Sequence, residues 1–357
     1  MRSLPFVLTF LAYSFFASAQ KKEVKLLFVG DAMQHTPQVQ AAKTKDGTYN
    51  YDSCFHLLKD KISSADIACV NFETVLGKKP YTGYPMFSAP DEFAFALKDA
   101  GFNLFVQASN HAVDKGRKGL ERTIDILDSI GVKHTGTFKS PETRKLYYPL
   151  MIIKNGIRMA FLNYVYDTNG LPVTAPNIVN LIDTNRIKRD LHFTQLYKPD
   201  IIIAVMHWGE EYYTYPTPQQ RKLAQLLFEN GVRLIVGHHP HVVEPITAYR
   251  RGDTIDRLVF YSLGNFVSNQ NFKNTDGGMV AEIVISKADD AAKAVIESYD
   301  YSFVWVRKYY DKGRLKYTLI PTHTPTADIY PKMSVSELQK MERYVLNATR
   351  ILEKEVP

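Results

Sequence analysis

The sequence predicts an α/β fold in which short buried strands alternate with amphipathic helices. Apolar runs of strand length recur along the chain, at residues 24–29, 67–72, 104–108, 201–206, 234–236 and 258–262. Between them lie segments whose apolar residues recur at three- and four-residue spacing, at residues 51–64, 90–100, 118–130, 185–196 and 218–229. This spacing is typical of helices, and Gly101, Gly131 and Gly231 follow three of them as C-terminal stops. The alternation indicates βα units built around a sheet.

Two β-rich segments interrupt this alternation. Residues 147–154 and 157–165 are joined by Asn155-Gly156, a strong signal for a two-residue hairpin, so we expect a second sheet to begin there. After Asn265 the chain is again rich in strand-forming residues, at 278–286, 294–307 and 315–320. A closing helix is predicted over residues 334–353, because Ser334 and Glu337 match a capping box. This order favours two sheets in one body, flanked by helices.

The N-terminal residues predict export. Arg2 precedes an apolar run over residues 4–17, and Ala17-Ser18-Ala19 provides small residues at a cleavage site, so residues 1–19 are interpreted as a signal peptide. The mature protein is then expected in the periplasm or at the cell surface, with an uncleaved membrane anchor as the alternative. Within it, residues 20–270 form the predicted main domain. Residues 271–357 form a β-rich extension whose closing helix packs on the same body.

Charge and cysteine content set limits on partners and chemistry. The net charge of +7 is spread along the chain and indicates a mild preference for anionic partners. Because no arginine-rich stripe or nucleic-acid motif is present, we expect no binding to nucleic acid. Cys54 and Cys69 allow one disulfide in an oxidising compartment, and buried free thiols are the alternative.

Polar side chains follow five successive predicted strands. In open α/β sheets the carboxyl ends of the strands form the edge at which ligands bind. The residues found there carry carboxylate, amide or imidazole groups: Asp31, Asn71, Glu73, Asn110, His111, His207, Glu211, His238, His239 and His241. This mixture of ligands suits a divalent ion such as Mn, Zn or Fe. The sequence therefore predicts a metal site at this edge.

Each cluster also has an ordinary structural interpretation. Gly30-Asp31 and Asn110-His111 are compatible with simple turns, and Asn71 and Glu73 with a solvated strand end. His207 is compatible with a hydrogen-bonded core histidine, and the three histidines around Pro240 with a solvated surface loop. The metal hypothesis depends on their joint occurrence where successive strands end.

These motifs resemble those of the CapA family of poly-gamma-glutamate and capsule synthesis proteins. The segments that carry the resemblance are Gly30-Asp31, Asn71-Phe72-Glu73 and residues 110–116, 207–212, 237–243 and 261–266. Together they extend over residues 25–266. That family is similar in fold to calcineurin-like metallophosphoesterases, so the resemblance implies a four-layer αββα sandwich with metals at the strand ends.

The resemblance also implies a role for each residue. Asp31 and His241 would bind a first metal, Glu73 would bridge two metals, and Asn110, His207 and His239 would bind the second. His111 would protonate a leaving group. The supporting or substrate-contacting residues would be Asn71, Asp114, His238 and Asn265. A pair of ions so held would activate a bridging water and clamp the transition-state oxygens.

Two residues depart from the metallophosphoesterase pattern. Met33 stands where those enzymes usually carry a histidine, and Glu73 is longer than their usual bridging aspartate. Two arrangements therefore stay open. The site holds one or two divalent ions, or Glu73, His111, Glu211 and His241 act as an acid–base constellation.

The leading functional hypothesis is an exported protein for synthesis, export or trimming of an anionic cell-surface polymer such as poly-gamma-glutamate. It would act as a metal-dependent hydrolase or transferase of phosphoester or amide bonds, with His111 as acid and His241 or Glu211 aiding proton removal. A first alternative is a non-catalytic periplasmic component that binds the polymer and the membrane proteins of a synthesis complex, with the aromatic residues 212–216 lining a groove. A second is a metal-independent acid–base enzyme that acts on peptides.

Overall fold

The computed structural model describes residues 21–289, 292–322 and 333–356. The predicted signal peptide, residues 1–19, lies outside these residues. The strands are β1 (Lys22–Ala32), β2 (Ile67–Phe72), β3 (Leu104–Val106), β4 (Lys133–Thr135), β5 (Thr137–Phe138), β6 (Leu150–Lys154), β7 (Ile157–Val165), β8 (Ile178–Val179), β9 (Ile201–His207), β10 (Leu234–His238), β11 (Ile246–Arg251), β12 (Thr254–Phe260), β13 (Asn265–Val267), β14 (Gly277–Lys287), β15 (Val295–Asp311) and β16 (Arg314–Pro321).

The helices of the described residues follow the predicted alternation with the strands. They are α1 (Thr36–Ala42), α2 (Asp52–Phe55), α3 (Lys59–Ser63), α4 (Asp91–Asp99), α5 (Gly116–Ser129), α6 (Pro141–Tyr147), α7 (Thr184–Leu196), α8 (Pro218–Glu229) and α9 (Val335–Leu352), with a 3-10 turn at His56–Leu58. In the described part of the chain, no helix combines the length and the hydrophobicity needed to cross a membrane.

Hydrogen bonds connect most of the strands into one path. Its order is β4-β3-β2-β1-β14-β15-β12-β10-β9-β7-β6, with β13 on β1, β11 on β12 and β16 on β15. One half contains the parallel strands β1 to β4, and the other contains the parallel strands β7, β9, β10 and β12. The long antiparallel strands β14 and β15 connect the halves, and β15 meets β12 at the pair Ile296 and Ile255.

The two halves pack face to face and carry helices on their outer faces. Because successive side chains of a strand point to opposite faces, each half has an inner and an outer apolar surface. Phe28 of β1 and Phe161 of β7 belong to one shared inner core. The outer surface of the first half packs on α4 and α5, and that of the second half packs on α7 and α8. These layers are helix, sheet, sheet and helix, so the predicted four-layer αββα sandwich is confirmed.

The expectation of a separate sheet from residue 147 needs correction. The hairpin exists as β6 and β7, and its turn residues Asn155 and Gly156 have φ of 49° and 75°, as a two-residue turn of this kind requires. However, β6 and β7 form one end of the same hydrogen-bonded path as β9 and β10. Residues 141–147 are helical because Ser140 caps α6 by accepting a hydrogen bond from the Thr143 N–H, so the strand begins only at Leu150.

The helix predicted over residues 51–64 is also interrupted. It is divided into α2, the 3-10 turn and α3. The Ser53 carbonyl accepts a hydrogen bond from the Thr318 hydroxyl at 3.0 Å. The same carbonyl oxygen lies 3.0 Å from His56 Nδ1. These contacts lie at the point where α2 gives way to the 3-10 turn.

Other predictions about elements hold. The helix α9 begins after Ser334, which caps it together with Glu337 as predicted. Cys54 and Cys69 are free and buried, and burial raises the pKa of both thiols. The strands β14 to β16 come from the predicted C-terminal extension, and β14 lies between β1 and β15 in the sheet. The boundary at residue 270 stays a prediction.

Candidate metal centre

Polar residues from both halves of the sandwich meet at one end of the sheet. The strands β1, β2 and β3 end close to Asp31, Glu73 and Asn110, while β9 and β10 end at His207 and the following histidine turn. Since the strands within each half are parallel, their carboxyl ends lie at the same edge. The six residues expected to bind metal are each 2% exposed or less: Asp31, Glu73, Asn110, His207, His239 and His241. The surface-loop interpretation of the histidines is therefore wrong.

Glu73 lies at the centre of this cluster. Both of its carboxylate oxygens are buried and have no hydrogen-bond partner among the described residues. Its Oε1 lies 3.6 Å from His207 Nε2 and 3.9 Å from His241 Nε2. These distances are too long for hydrogen bonds, but two atoms that each bind one ion at about 2.1 Å lie about 3.0–4.2 Å apart. Burial, with the neighbouring Asp31 carboxylate, raises the pKa of Glu73 well above its ordinary value.

The donor atoms form two groups that share Glu73. One group contains Asp31, Glu73 and His207, and the other contains Glu73, His239 and His241, with the atoms of each group within 4.8 Å of one another. The Asn110 Oδ1 lies 2.9 Å from His207 Nε2 and adds an amide oxygen to the first group. The resemblance had placed Asp31 with His241 and His207 with His239. The structure brings the same residues together in a different grouping.

These donors fit a divalent cation. An unpartnered buried carboxylate is costly, and a cation would satisfy the Glu73 oxygens. Burial lowers the pKa of His207 well below its ordinary value and the pKa of His239 to about 3, so both rings are neutral near pH 7. The neutral imidazole is the form that binds metal.

Asp31 is surrounded by hydrogen-bond donors. The Asn71 Nδ2 donates to Asp31 Oδ1 at 2.8 Å, and His241 Nδ1 lies 2.9 Å from Oδ2. His238 Nδ1 lies 3.4 Å from Oδ1. Burial alone would raise the pKa of Asp31, but the hydrogen bonds with His238 and His241 hold it well below its ordinary value. Asn71 and His238 thus contact a predicted ligand, and His238 is buried rather than solvated.

The turn that carries His239 and His241 is held in an unusual conformation. These residues have φ of 98° and 60°, in the left-handed region that side chains other than glycine rarely adopt. Each such residue costs on the order of 1–3 kcal/mol and persists only where surrounding contacts impose it. The backbone N–H of Trp208 donates to the His238 carbonyl at 3.1 Å, and the backbone N–H of Tyr212 donates to the Pro240 carbonyl at 2.8 Å. Backbone contacts thus hold the turn that carries both imidazoles.

His111 forms a pair with a buried carboxylate. Its Nδ1 lies 2.8 Å from Asp114 Oδ2, and that oxygen also accepts a hydrogen bond from the Phe87 N–H at 2.7 Å. A carboxylate can only accept, so Nδ1 carries the proton of this bond. The Phe87 ring lies edge-on to His111, with ring centroids 4.5 Å apart. Asp114 therefore orients the ring proposed to donate a proton.

Three other predicted residues lie in less central positions. Asn265 pairs with Asp31 in the sheet register, but its side-chain amide donates to Gln270 at 2.8 Å and to the Thr275 carbonyl at 2.9 Å. Glu211 lies at the mouth of the site, with a side chain that is 42% exposed and Oε1 3.9 Å from His241 Nε2. Met33 is buried.

Two groups near this centre, Tyr166 and His35, were not predicted from the sequence. The Tyr166 ring lies 4.4 Å from the His239 ring. Tyr212, one of the aromatic residues expected to line a groove, has its ring 6.1 Å from the His241 ring. His35 packs edge-on to Phe87. Burial lowers the pKa of His35 to about 4. The hydrogen bond with Gln38 opposes this shift, whereas repulsion from His241 adds to it. Tyr166 directly follows β7, so the strand-end argument applied to that strand would have found it.

The family model described as bacterial capsule synthesis protein PGA_cap matches residues 25–270 of the chain. Capsule biosynthesis protein CapA of Bacillus anthracis is 28% identical over 273 residues, which cover 72% of this chain and 62% of that protein. PGA biosynthesis protein CapA of Bacillus subtilis is 29% identical over 276 residues, which cover 73% of this chain and 67% of that protein. Among solved structures, the NAD nucleotidase of Haemophilus influenzae is similar in fold, with a TM-score of 0.50. The match covers 94% of this chain and 61% of that chain, and the two sequences are 10% identical.

Proposed function

Since the chain belongs to the family of bacterial capsule synthesis proteins, we propose that it is a metal-dependent hydrolase or transferase of phosphoester or amide bonds. Its metallophosphoesterase-like fold places buried donors at the strand ends, where such chemistry needs them. The observation that carries the proposal is Glu73, a fully buried carboxylate with no hydrogen-bond partner for either oxygen in the part of the chain that the structure describes and two imidazole nitrogens at ligand separation.

The ligands and the acid have separate tasks in this proposal. Glu73, with Asp31, Asn110 and the three histidines 207, 239 and 241, would hold the cation. When bound, a divalent cation supplies an activated water near neutral pH and stabilises charge on the reacting oxygens. His111 donates a proton from Nε2 to the leaving group, and Asp114 at Nδ1 stabilises the protonated ring before that transfer.

Removal of a proton on the side opposite the leaving group is assigned to His241 or Glu211. His241 Nε2 faces Glu73 and Glu211, while its Nδ1 is held by Asp31. A carboxylate on one imidazole nitrogen fixes the tautomer and leaves a lone pair on the other, as a base requires. Because that lone pair is used when His241 binds the cation, the more exposed Glu211 is the base of the metal-bound site, and His241 is the base in the metal-independent alternative.

The substrate in this proposal is an anionic cell-surface polymer such as poly-gamma-glutamate, which the protein helps to synthesise, export or trim. The net charge of +7 is compatible with an anionic chain. Two relatives carry capsule and PGA biosynthesis in their names, and this chain spans 62% and 67% of their lengths. Export to the periplasm or cell surface and contact with membrane proteins of a synthesis complex are parts of the same proposal.

Turnover assays with and without chelator test the proposed activity. Purified protein is incubated with phosphoesters and with gamma-glutamyl peptides, first as prepared, then after chelation, then with Mn²⁺ or Zn²⁺ restored. We expect hydrolysis that is lost on chelation, regained with metal and absent in His239→Ala. Turnover that resists chelation but is lost in His111→Ala would contradict metal dependence and favour the metal-independent acid–base enzyme.

A non-catalytic polymer-binding role is the second candidate, and exposed aromatic side chains near the mouth favour it. Tyr84 is 72% exposed and Phe272 is 60% exposed, and the Phe272 ring lies 4.5 Å from the Tyr212 ring. Aromatic faces of this kind can line a groove for a chain-like ligand. Polymer production by cells that carry Glu73→Gln in place of the native chain would support this role, while loss of polymer with normal protein levels would count against it.

A further inference from the structure

We infer that Glu211 is a metal ligand, and that its carboxylate completes a divalent-cation position formed with Glu73, His239 and His241. The inference rests on the proposed metal-dependent function and specifies one of its ligand sets. It replaces the role of proton acceptor that the sequence had suggested for Glu211.

Distances around His241 carry the first step. Its Nε2 lies 3.9 Å from Glu211 Oε1 and also 3.9 Å from Glu73 Oε1. Neither separation is a hydrogen bond, whereas both lie within the range of about 3.0–4.2 Å for two ligands of one ion. Each of the two carboxylates thus lies at ligand separation from the same imidazole nitrogen.

The other ring nitrogen of His241 supplies the second step. Its Nδ1 lies 2.9 Å from Asp31 Oδ2, and that carboxylate accepts the ring proton. Histidines that bind metal almost always donate their second nitrogen to such an acceptor, which fixes the tautomer and leaves the first nitrogen as ligand. Asp31 therefore prepares His241 Nε2 to bind a cation between Glu73 and Glu211.

Backbone contacts hold Glu211 beside the histidine turn. Gly209 and Tyr212, on either side of it, have φ of 91° and 68°. For an aromatic residue this conformation is strained, and it is imposed here by the hydrogen bond from the Tyr212 N–H to the Pro240 carbonyl at 2.8 Å. The loop that bears Glu211 and the turn that bears His239 and His241 are consequently fixed to each other.

The donor count supplies the last step. Asp31, Glu73, His207 and Asn110 provide four donors to the first group, but Glu73, His239 and His241 provide three to the second. Four donors complete a tetrahedral site. The Met33 thioether is a soft ligand that binds Mn²⁺ or Zn²⁺ poorly, whereas a carboxylate suits both. Glu211 brings the second group to four donors, the number that the first group already has.

Metal titration of the Glu211→Gln variant tests this assignment. The full chain is stripped with chelator, and Mn²⁺ binding is followed by the electron paramagnetic resonance of the free ion and by calorimetry. The matched control is Glu210→Gln, which removes the adjacent exposed carboxylate and no donor of the site. Thermal melting of the stripped proteins verifies that both variants fold as the native chain does.

We expect Glu211→Gln to weaken Mn²⁺ binding at one position by at least about 10-fold, with Glu210→Gln unchanged. Binding by Glu211→Gln with native stoichiometry and affinity would overturn the inference and leave the proposed function standing. A native chain that binds neither Mn²⁺ nor Zn²⁺ would instead overturn the proposed function, and this inference with it.

Discussion

At the scale of single residues, the buried carboxylates of Asp31 and Glu73 differ in the groups that surround them. Asp31 is buried among donors from Asn71, His238 and His241, whereas neither oxygen of Glu73 has a hydrogen-bond partner among the described residues. The same chemical group therefore has opposite pKa shifts, downward in Asp31 and upward in Glu73. Hydrogen bonding explains the first, and desolvation with a neighbouring negative charge explains the second.

Asp114→Asn should slow turnover while leaving metal content unchanged. The amide cannot stabilise a protonated His111 as the carboxylate at 2.8 Å does, so we expect kcat to fall by about 10²–10⁴-fold. Steady-state kinetics and elemental analysis of the same preparation measure both quantities. The matched control is Asp128→Asn, which removes the carboxylate of a surface pair with His134 at 2.9 Å. An unchanged kcat in Asp114→Asn would exclude His111 as the acid.

Glu244→Gln should stabilise the protein at alkaline pH. Glu244 is buried, accepts one hydrogen bond from Gln220 at 2.7 Å and has no partner for Oε1 among the described residues. Burial raises its pKa to about 8, so the folded state holds the proton more tightly than the unfolded state. Stability therefore falls as pH rises from about 4.3 through about 8. We expect the variant to gain on the order of 2 kcal/mol at pH 9 and nothing at pH 4.

Urea unfolding at both pH values measures this difference. Glu229→Gln is the control, because Glu229 accepts a similar bond from Gln225 at 2.8 Å but is exposed. A gain for Glu244→Gln that is equal at both pH values would show that the carboxylate is not the cause.

At the scale of secondary-structure elements, the close approach of β10 to its neighbours positions the histidine turn. A Cβ built at Gly237 would lie 1.8 Å from the Tyr261 carbonyl oxygen and 2.5 Å from Trp208 Nε1. The strand β10 can therefore pass between β9 and β12 at this point only with glycine. Because His238 and His239 follow directly, the ligand geometry depends on this contact.

Gly237→Ala should destabilise the fold by about 3 kcal/mol and reduce metal affinity, since backbone must move to admit the methyl group. Gly313→Ala is the control, because a Cβ there meets nothing within 4 Å and its cost is limited to a φ of 74°. Thermal unfolding and metal titration of both variants provide the comparison. Native stability in Gly237→Ala would show that the approach of β10 to β12 is not required.

Secondary-structure elements could be predicted where residues close in sequence determine them. They could not be predicted where contacts between residues distant in sequence are involved. The hairpin at Asn155-Gly156 and the cap at Ser334 depend on their own residues and were found. The break within residues 51–64 lies beside a hydrogen bond from Thr318, which is remote in sequence, and was missed. His35 was also missed, and in the structure Phe87 packs against both it and His111.

At the scale of the whole molecule, the candidate site connects the two halves of the sandwich. Asp31, Glu73 and Asn110 come from one half, and His207 and the histidine turn come from the other. The fold class was predicted from the sequence, and so was the meeting of these side chains, because strand ends of a parallel sheet meet at one edge. The grouping of the donors was not, since it depends on how the two halves face each other.

Bound metal should therefore stabilise the whole fold. A ligand that binds only the folded state adds about 2.7 kcal/mol when its concentration is 100 times its Kd. We expect the melting temperature of the native chain to rise on addition of Mn²⁺ or Zn²⁺, and that of Glu73→Gln to stay constant. A rise of equal size in Glu73→Gln would place the stabilising ion outside this site.

The most direct measurement is the metal content of protein purified without chelator, determined by elemental mass spectrometry for the native chain and for Glu73→Gln. The variant keeps the size of the side chain but removes the charge that both donor groups share. The metal-centre account predicts a divalent transition metal in stoichiometric amount in the native protein and little in the variant. A native protein without such metal, or a variant with the same content, would contradict it.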